Sequence, residues 1–156
     1  MDIRFRDAVP DDLARIQALA AQTIDVAYRA FIDEDAVDWF ISGPSDAYLR
    51  DNLGNVTLAE ANGAVAALAV CKGDLIDLLL VDHPLQGRGI GAALLAHCES
   101  KLFRQYDVIN LESFENNGKA NALYRRNGWV RVGTVPDAMS GARKWILEKR
   151  RDESRP

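Results

Sequence analysis

Apolar positions change their spacing several times along the chain. Ile3-Arg-Phe-Arg6 alternates apolar with charged, which predicts a short strand with one buried face. Pro10-Asp-Asp then opens a run in which Leu13, Ile16, Leu19 and Ala20 recur at helical spacing, with proline and acids where a first helical turn favours them. Gln22 to Asp51 stays helical in tone. Val56 to Glu60 and Ala64 to Cys71 read as strands, and Ala61-Asn-Gly63 between them predicts a hairpin. Lys72-Gly73 turns the chain into Leu75 to Val81, where Leu78 to Val81 holds no polar side chain; that predicts a central strand covered on both faces.

Downstream, Ile90, Leu94, Cys98 and Leu102 stand at steps of four and predict a helix laying one stripe on the sheet. Tyr106 to Glu112 reads as a strand reached through that helix, so it should lie parallel to Leu75 to Val81 by a right-handed crossover. Asn116 to Asn127 predicts a short helix stopped by Gly128. Trp129 to Thr134 and Arg143 to Glu148 predict a terminal strand pair across a loop with Pro136 and Gly141. The expected architecture is a single α/β domain over 1–149, a twisted mixed sheet of about seven strands with helices on both faces. A charged tail over 150–156 is expected to fray.

Composition narrows the function classes. The chain has 156 residues, 48% aliphatic and aromatic and 27% charged, the profile of one globular domain with an ordinary core. Met1 to Asp7 is charged and strand-like rather than leader-like, and no apolar run approaches a membrane span, so a cytoplasmic location without membrane association is the expectation. A net charge of −4 gives no basic face for nucleic acid. Cys71 and Cys98 suggest neither a disulfide framework nor a metal site, and both are expected as small core residues; His97 is expected to be structural or exposed. Between Gln22 and Asp51, Asp25, Asp33, Glu34, Asp35, Asp38, Asp46 and Asp51 outnumber Arg29 and Arg50. The run reads either as a solvated helix face or as an acidic rim that attracts a cationic substrate. The aromatics within it, Tyr28, Phe31, Trp39, Phe40 and Tyr48, read as core or packing residues ahead of the alternative, a substrate pocket.

The chemistry gathers where the apolar strand meets Gly87, Gly89 and Gly91. Glycines let backbone approach a bound group, and the helix that follows begins with unpaired N–H donors and about half a positive charge, so an anion such as a pyrophosphate is the natural guest. Gly87-x-Gly89-x-x-Ala92, with Glu112 downstream, satisfies a dinucleotide fingerprint. The context does not: Asp82 to Gln86 separate strand from glycines, and too little chain follows for a second mononucleotide half. The Gly-Lys-Ser/Thr ending of a P-loop is also missing.

The segment resembles motif A of the GCN5-related N-acetyltransferase (GNAT) superfamily: an apolar strand ending in Val, a Pro turn, then Gln86-Gly-Arg-Gly-Ile-Gly91. A second matching motif is Asn117-x-x-Ala120-x-x-Leu123-Tyr124-x-x-x-Gly128-Trp129, where the family more often ends in Phe. The resemblance implies an acetyl-CoA-dependent transferase without a metal. It implies that the strand ending at Val81 splays from the strand ending at Glu112, usually with a β-bulge, and that the pantetheine arm enters the gap against the backbone of Leu79, Leu80 and Val81. The pyrophosphate would then rest on the amides of Gln86, Gly87, Arg88, Gly89, Ile90 and Gly91, with the Arg88 side chain adding charge. Tyr124 matches the family's acid beside the sulfur. Asn117 would hold the cofactor or simply cap its helix. Glu112, followed here by Ser-Phe rather than Val-Arg, resembles in position the base of ribosomal-protein N-terminal acetyltransferases; Asp77 is the other carboxylate placed to act, and a water chain is the third route. The expected acceptor is a primary amine of a small molecule or peptide, with a cationic one favoured by the acidic run, attacked directly in a ternary complex; no Cys or Ser stands in a nucleophile setting. A homodimer is compatible with such a domain. The rival class is a non-catalytic acyl-CoA-binding or sensing module.

Overall fold

The computed structural model of the chain describes residues 1–152. Seven strands form one mixed sheet: β1 (Ile3–Asp7), β2 (Val56–Ala61), β3 (Ala64–Lys72), β4 (Leu75–Val81), β5 (Val108–Phe114), β6 (Val130–Pro136) and β7 (Arg143–Arg150), in the order β1-β2-β3-β4-β5-β7-β6. Only β4 and β5 pair in parallel; every other neighbour is antiparallel. The β2–β3 hairpin turns at Asn62 and Gly63, both at positive φ (53° and 86°), as the Asn-Gly signal predicts.

Helices cover both faces. On one side lie α1 (Leu13–Ala27), α2 (Glu34–Ile41) and α3 (Pro44–Asp51). Ile16, Leu19, Ala20 and Ile24 of α1 pack there on Leu58, Leu68, Val70 and Leu80. On the other side α4 (Ile90–Leu102) and α5 (Gly118–Arg126) enclose Ala67, Ala69, Ile76, Leu94, Cys98, Tyr124 and Trp129. The acidic stretch is thus divided among three helices, and Pro44, which has no N–H to continue α2, starts α3.

Several boundaries differ from the sequence reading by one or two residues, most clearly at β5 and β7. The α4 helix closes with Gln105 and Tyr106 both donating to Leu102 O, so β5 begins two residues late. It also ends two residues late, because Ser113 is buried with its hydroxyl donating to Asn121 Oδ1 at 2.6 Å. At the C-terminus β7 runs through Arg150, and Arg151 N–H donates to Asp107 O at 2.8 Å, so the expected fraying does not begin at 150. The rest of that expected tail, 153–156, lies outside the described residues. Cys71 and Cys98 are free, buried core residues, and His97 stacks on Phe5 at 4.4 Å. Among the described residues no helix is long and apolar enough to cross a membrane.

Candidate active site

Leu75 faces Asn110 and Ile76 faces Leu111, and there the pairing of β4 with β5 ends. The outer edges of both strands are fully occupied: β4 pairs with β3 up to Val81, and β5 with β7 over all seven of its residues. The break is therefore local to one seam. The expectation that Leu78 to Val81 is covered on both faces fails for the same reason, since Leu78, Leu79 and Val81 are only half-buried and border the opening.

A bulge aims the strand. Val70 faces Leu78 but Cys71 faces Ile76, so Asp77 is an extra residue in β4. Before the bulge Ile76 packs on the α4 side; after it Leu78 and Leu80 pack on the α1 side, and Leu79 and Val81 on the α4 side. Asp82 N–H donates to Ala66 O at 2.8 Å. By the alternation of an antiparallel ladder, Leu80 and Leu78 also direct their backbone groups to β3, and those of Leu79 and Val81 face the gap. The Val81 carbonyl accepts from Gln86 Nε2 at 3.2 Å, which leaves the Val81 N–H and both groups of Leu79 as the uncommitted edge.

At the mouth beside Val81 stands the glycine turn. Gly87 and Gly89 take φ of 79° and 85°, the left-handed region that favours glycine. Among the described residues, the N–H groups of Gly87 to Ala92 have no protein acceptor; the first satisfied amide is that of Ala93, which bonds Gly89 O at 3.1 Å. Six successive donors at a helix start form an anion cradle. Gln86, Gly87, Gly89, Ile90 and Gly91 line the cleft, whereas Arg88 is exposed and its side chain lies outside the lining.

The cleft, of about 1230 Å³, passes through the split sheet and is bordered on both faces. On the α4 side are the glycine turn, Leu123 and Tyr124; on the α1 side are Tyr28, Phe31, Phe40, Tyr48 and Asp77. Tyr124 is buried, and desolvation pushes its pKa up to about 12. Trp129 locks its backbone by donating to Tyr124 O at 3.0 Å, and donates its indole N–H to the buried Glu99 at 3.0 Å. Lys149 is the ion-pair partner of that Glu99 carboxylate. Sequence reasoning missed Glu99 and Lys149; a carboxylate one step off the apolar stripe of α4 was the available signal.

The carboxylates are all engaged. Asp77 accepts from the Tyr48 hydroxyl and lies 3.4 Å from Lys72 Nζ. Burial, followed by that Asp77 bond, pushes the Tyr48 hydroxyl pKa up. Glu112 is exposed at the cleft, 4.0 Å from Lys144 Nζ. Asp137, absent from the sequence reading, is buried in the β6–β7 loop, 3.0 Å from Lys144 and bonded to Ser140 Oγ at 2.7 Å. Burial alone would raise its pKa, but Ser140 and Lys144 together hold it below the usual range. Asn117 caps α5, its Oδ1 accepting from Ala120 N–H at 3.4 Å, and also lines the cleft.

The sheet is opened at one parallel seam, with a run of amides free of protein acceptors at its mouth and a buried tyrosine inside. A family profile for the acetyltransferase (GNAT) domain matches residues 52–131, just over half of the chain. The chain belongs to the GNAT family. Its fold is shared by a solved structure described as a GCN5-related N-acetyltransferase, aminotransferase class-II, from Rhodopseudomonas palustris, at 20% identity over 96% of each chain with a TM-score of 0.81. It is likewise similar to the PaiA N-acetyltransferase of Thermoplasma acidophilum solved in complex with coenzyme A, at 17% identity over 96% of this chain and 99% of that one, TM-score 0.81. The ribosomal-protein-S18-alanine N-acetyltransferase of Escherichia coli matches at 21% identity over 96% and 94%, TM-score 0.69. No curated protein sequence matches the chain.

Proposed function

We propose that the protein transfers an acetyl group from acetyl-CoA to the primary amine of a small molecule or peptide. The observation that carries this reading is the open seam between β4 and β5 beside the free amides of Gly87 to Ala92. A pantetheine arm is an amide-bearing chain of strand-like reach, so the uncommitted backbone of Leu79 suits it, as an added strand suits a sheet edge. The glycine turn suits the diphosphate: six N–H donors without protein acceptors stand at a helix start, and a Cβ at Gly87 or Gly89 would meet nothing within 4 Å. When bound, acetyl-CoA supplies the activated acyl group and a thiol leaving group.

The chain's own residues supply the rest. Tyr124 is the proton donor for the departing sulfur. With its pKa at about 12 it holds its proton firmly, and full transfer to a thiolate with an aqueous pKa of about 8.5 would cost about 5 kcal/mol. The same desolvation raises the thiol's pKa and narrows that gap, so a hydrogen bond that strengthens as charge builds on sulfur is the economical role. Glu112 is the base for an amine that arrives protonated. A lysine-type amine is neutral in about one molecule in 2,500 at pH 7, and an α-amine in about one in ten, so the base matters most for the former. Asp77 is the weaker candidate, because Tyr48 and Lys72 already engage it. The two mouths let donor and acceptor meet in one ternary complex without a covalent enzyme intermediate.

The test is acetyl-CoA turnover over a panel of amines, with thiol release as readout, in wild type and Tyr124→Phe. Turnover that falls about 100-fold in the variant, while acetyl-CoA affinity is unchanged, is the expected result. Tight CoA binding with no turnover on any amine would instead support a sensing module.

A further inference from the structure

We infer that the acceptor is an amine carried on an apolar or aromatic body, and that a polycation is disfavoured; the inference rests on the transferase reading above. All seven acids of the α1–α3 segment are absent from the cleft lining. Asp25 and Asp38 instead clamp Arg29 at 2.5 and 2.7 Å, while Asp33, Glu34 and Asp35 face solvent. The acidic excess is therefore a solvated outer surface and does not reach the site. What this segment does present to the cleft is Tyr28, Phe31, Ile32 and Phe40.

Across the cleft Phe114 completes a ring cluster, 5.7 Å from Tyr28 and 5.6 Å from Phe31, with Tyr28 and Phe31 5.1 Å apart. Lys144 Nζ lies over the Phe114 ring at 5.2 Å, but Phe31, Ile32 and Phe40 are half-buried, so apolar surface is left bare inside a concavity. Such surface is stabilised when a ligand covers it.

Charge on the same walls argues in the same direction. The carboxylates that line the cleft are Asp77, Glu112 and Asp137, and each has a lysine: Lys72 at 3.4 Å for Asp77, and Lys144 at 3.0 Å from Asp137 and 4.0 Å from Glu112. A second or third ammonium group on the acceptor would have to displace Lys72 or Lys144 from its carboxylate partner, against like charge already present. A phenyl or alkyl body meets no such opposition.

The test compares kcat/KM at saturating acetyl-CoA for 2-phenylethylamine, hexylamine and a peptide beginning with Phe against putrescine and spermidine. Preference for the apolar amines by about 30-fold is expected, the equivalent of burying one such side chain. The peptide arm separates a free amine from a peptide N-terminus as its source. Phe31→Ser should raise KM for the preferred amine about tenfold, with Phe31→Leu restoring most of it and acetyl-CoA affinity unchanged in both. Turnover that favours spermidine, or a Phe31→Ser variant as efficient as wild type and equally stable, overturns the inference and leaves the transferase reading intact. Acetyl-CoA binding with no turnover on any amine overturns both.

Discussion

A Cβ placed on Gly91 would stand 3.3 Å from Val81 Cγ2 and 3.9 Å from Leu123 Cδ2. The first turn of α4 therefore rests directly on the last residue of β4, which brings the free amides of that turn to the mouth of the seam. Gly91→Ala asks the neighbours to yield by only a few tenths of an ångström, and alanine's better helix propensity opposes that cost, so its stability should stay near wild type. Gly91→Leu overfills the contact, costs about 1–3 kcal/mol, and pushes β4 and α4 apart. Calorimetric titration should find acetyl-CoA affinity within about threefold of wild type for the alanine variant and at least about tenfold weaker for the leucine one.

Much of this site is legible in the sequence because it is built locally. Strand β4, the glycine turn and α4 are contiguous, and Tyr124 with Asn117 share one short helix, so residue spacing alone sets their relation. What could not be read was long-range. Asp137 comes from a loop whose contact with Lys144 depends on the β6–β7 register. Tyr28, Phe31, Phe40 and Tyr48 read as packing residues, because periodicity tells which face of a helix is apolar but not whether that face is covered. The split seam was expected only through the family resemblance, because in the pattern itself an apolar run is the same whether its partner strand stays or departs.

Tyr124 should never limit activity at alkaline pH. Burial raises its pKa to about 12, so it keeps its proton across the working range, while the acceptor amine and its base gain reactivity as pH rises. The pH profile of kcat should climb and then level, without a descending limb below about pH 10. A fall in kcat centred between about pH 8 and 9, where wild type remains folded, would show that burial does not raise the acid's pKa in this way.

Thr23 is buried on α1 at 2% exposure, and its hydroxyl has no hydrogen-bond partner. Replacing a desolvated, unsatisfied hydroxyl by a methyl of the same shape removes a penalty of about 1 kcal/mol or more. Thr23→Val should therefore raise the urea midpoint with unchanged slope. A lower midpoint would mean that the hydroxyl is satisfied in solution.

Acid should weaken the fold partly through Asp12. Its pKa is lowered to about 2, first by the hydrogen bonds from Arg6 at 2.8 and 2.9 Å and then by the Val9 N–H, against the opposing effect of burial. Because the folded value lies below the unfolded one, this contribution is present above about pH 4 and is lost as pH falls towards 2. Asp12→Asn should be less stable than wild type at pH 7, and the difference should shrink between pH 4 and 2 in chemical denaturation. A constant difference over that range would show that Asp12 contributes by shape rather than charge.

The two strand carboxylates should separate by kind of defect. Asp77 sits at the bulge of β4, holding Tyr48 of α3 and Lys72 of β3. Its loss removes a tie between layers, so Asp77→Asn should lower thermal stability and change kcat by less than about tenfold. Glu112 is exposed at the cleft with only Lys144 beside it, so Glu112→Gln should leave stability within about 0.5 kcal/mol of wild type. If Glu112 removes the proton from the acceptor, that variant loses about 100-fold in kcat at pH 7 and recovers as pH approaches the amine's own pKa, where the substrate arrives neutral. The comparison is made by pH–rate profiles of both variants with one amine of pKa near 10. A Glu112→Gln deficit that stays constant with pH would remove Glu112 from proton transfer and leave a water chain as the route.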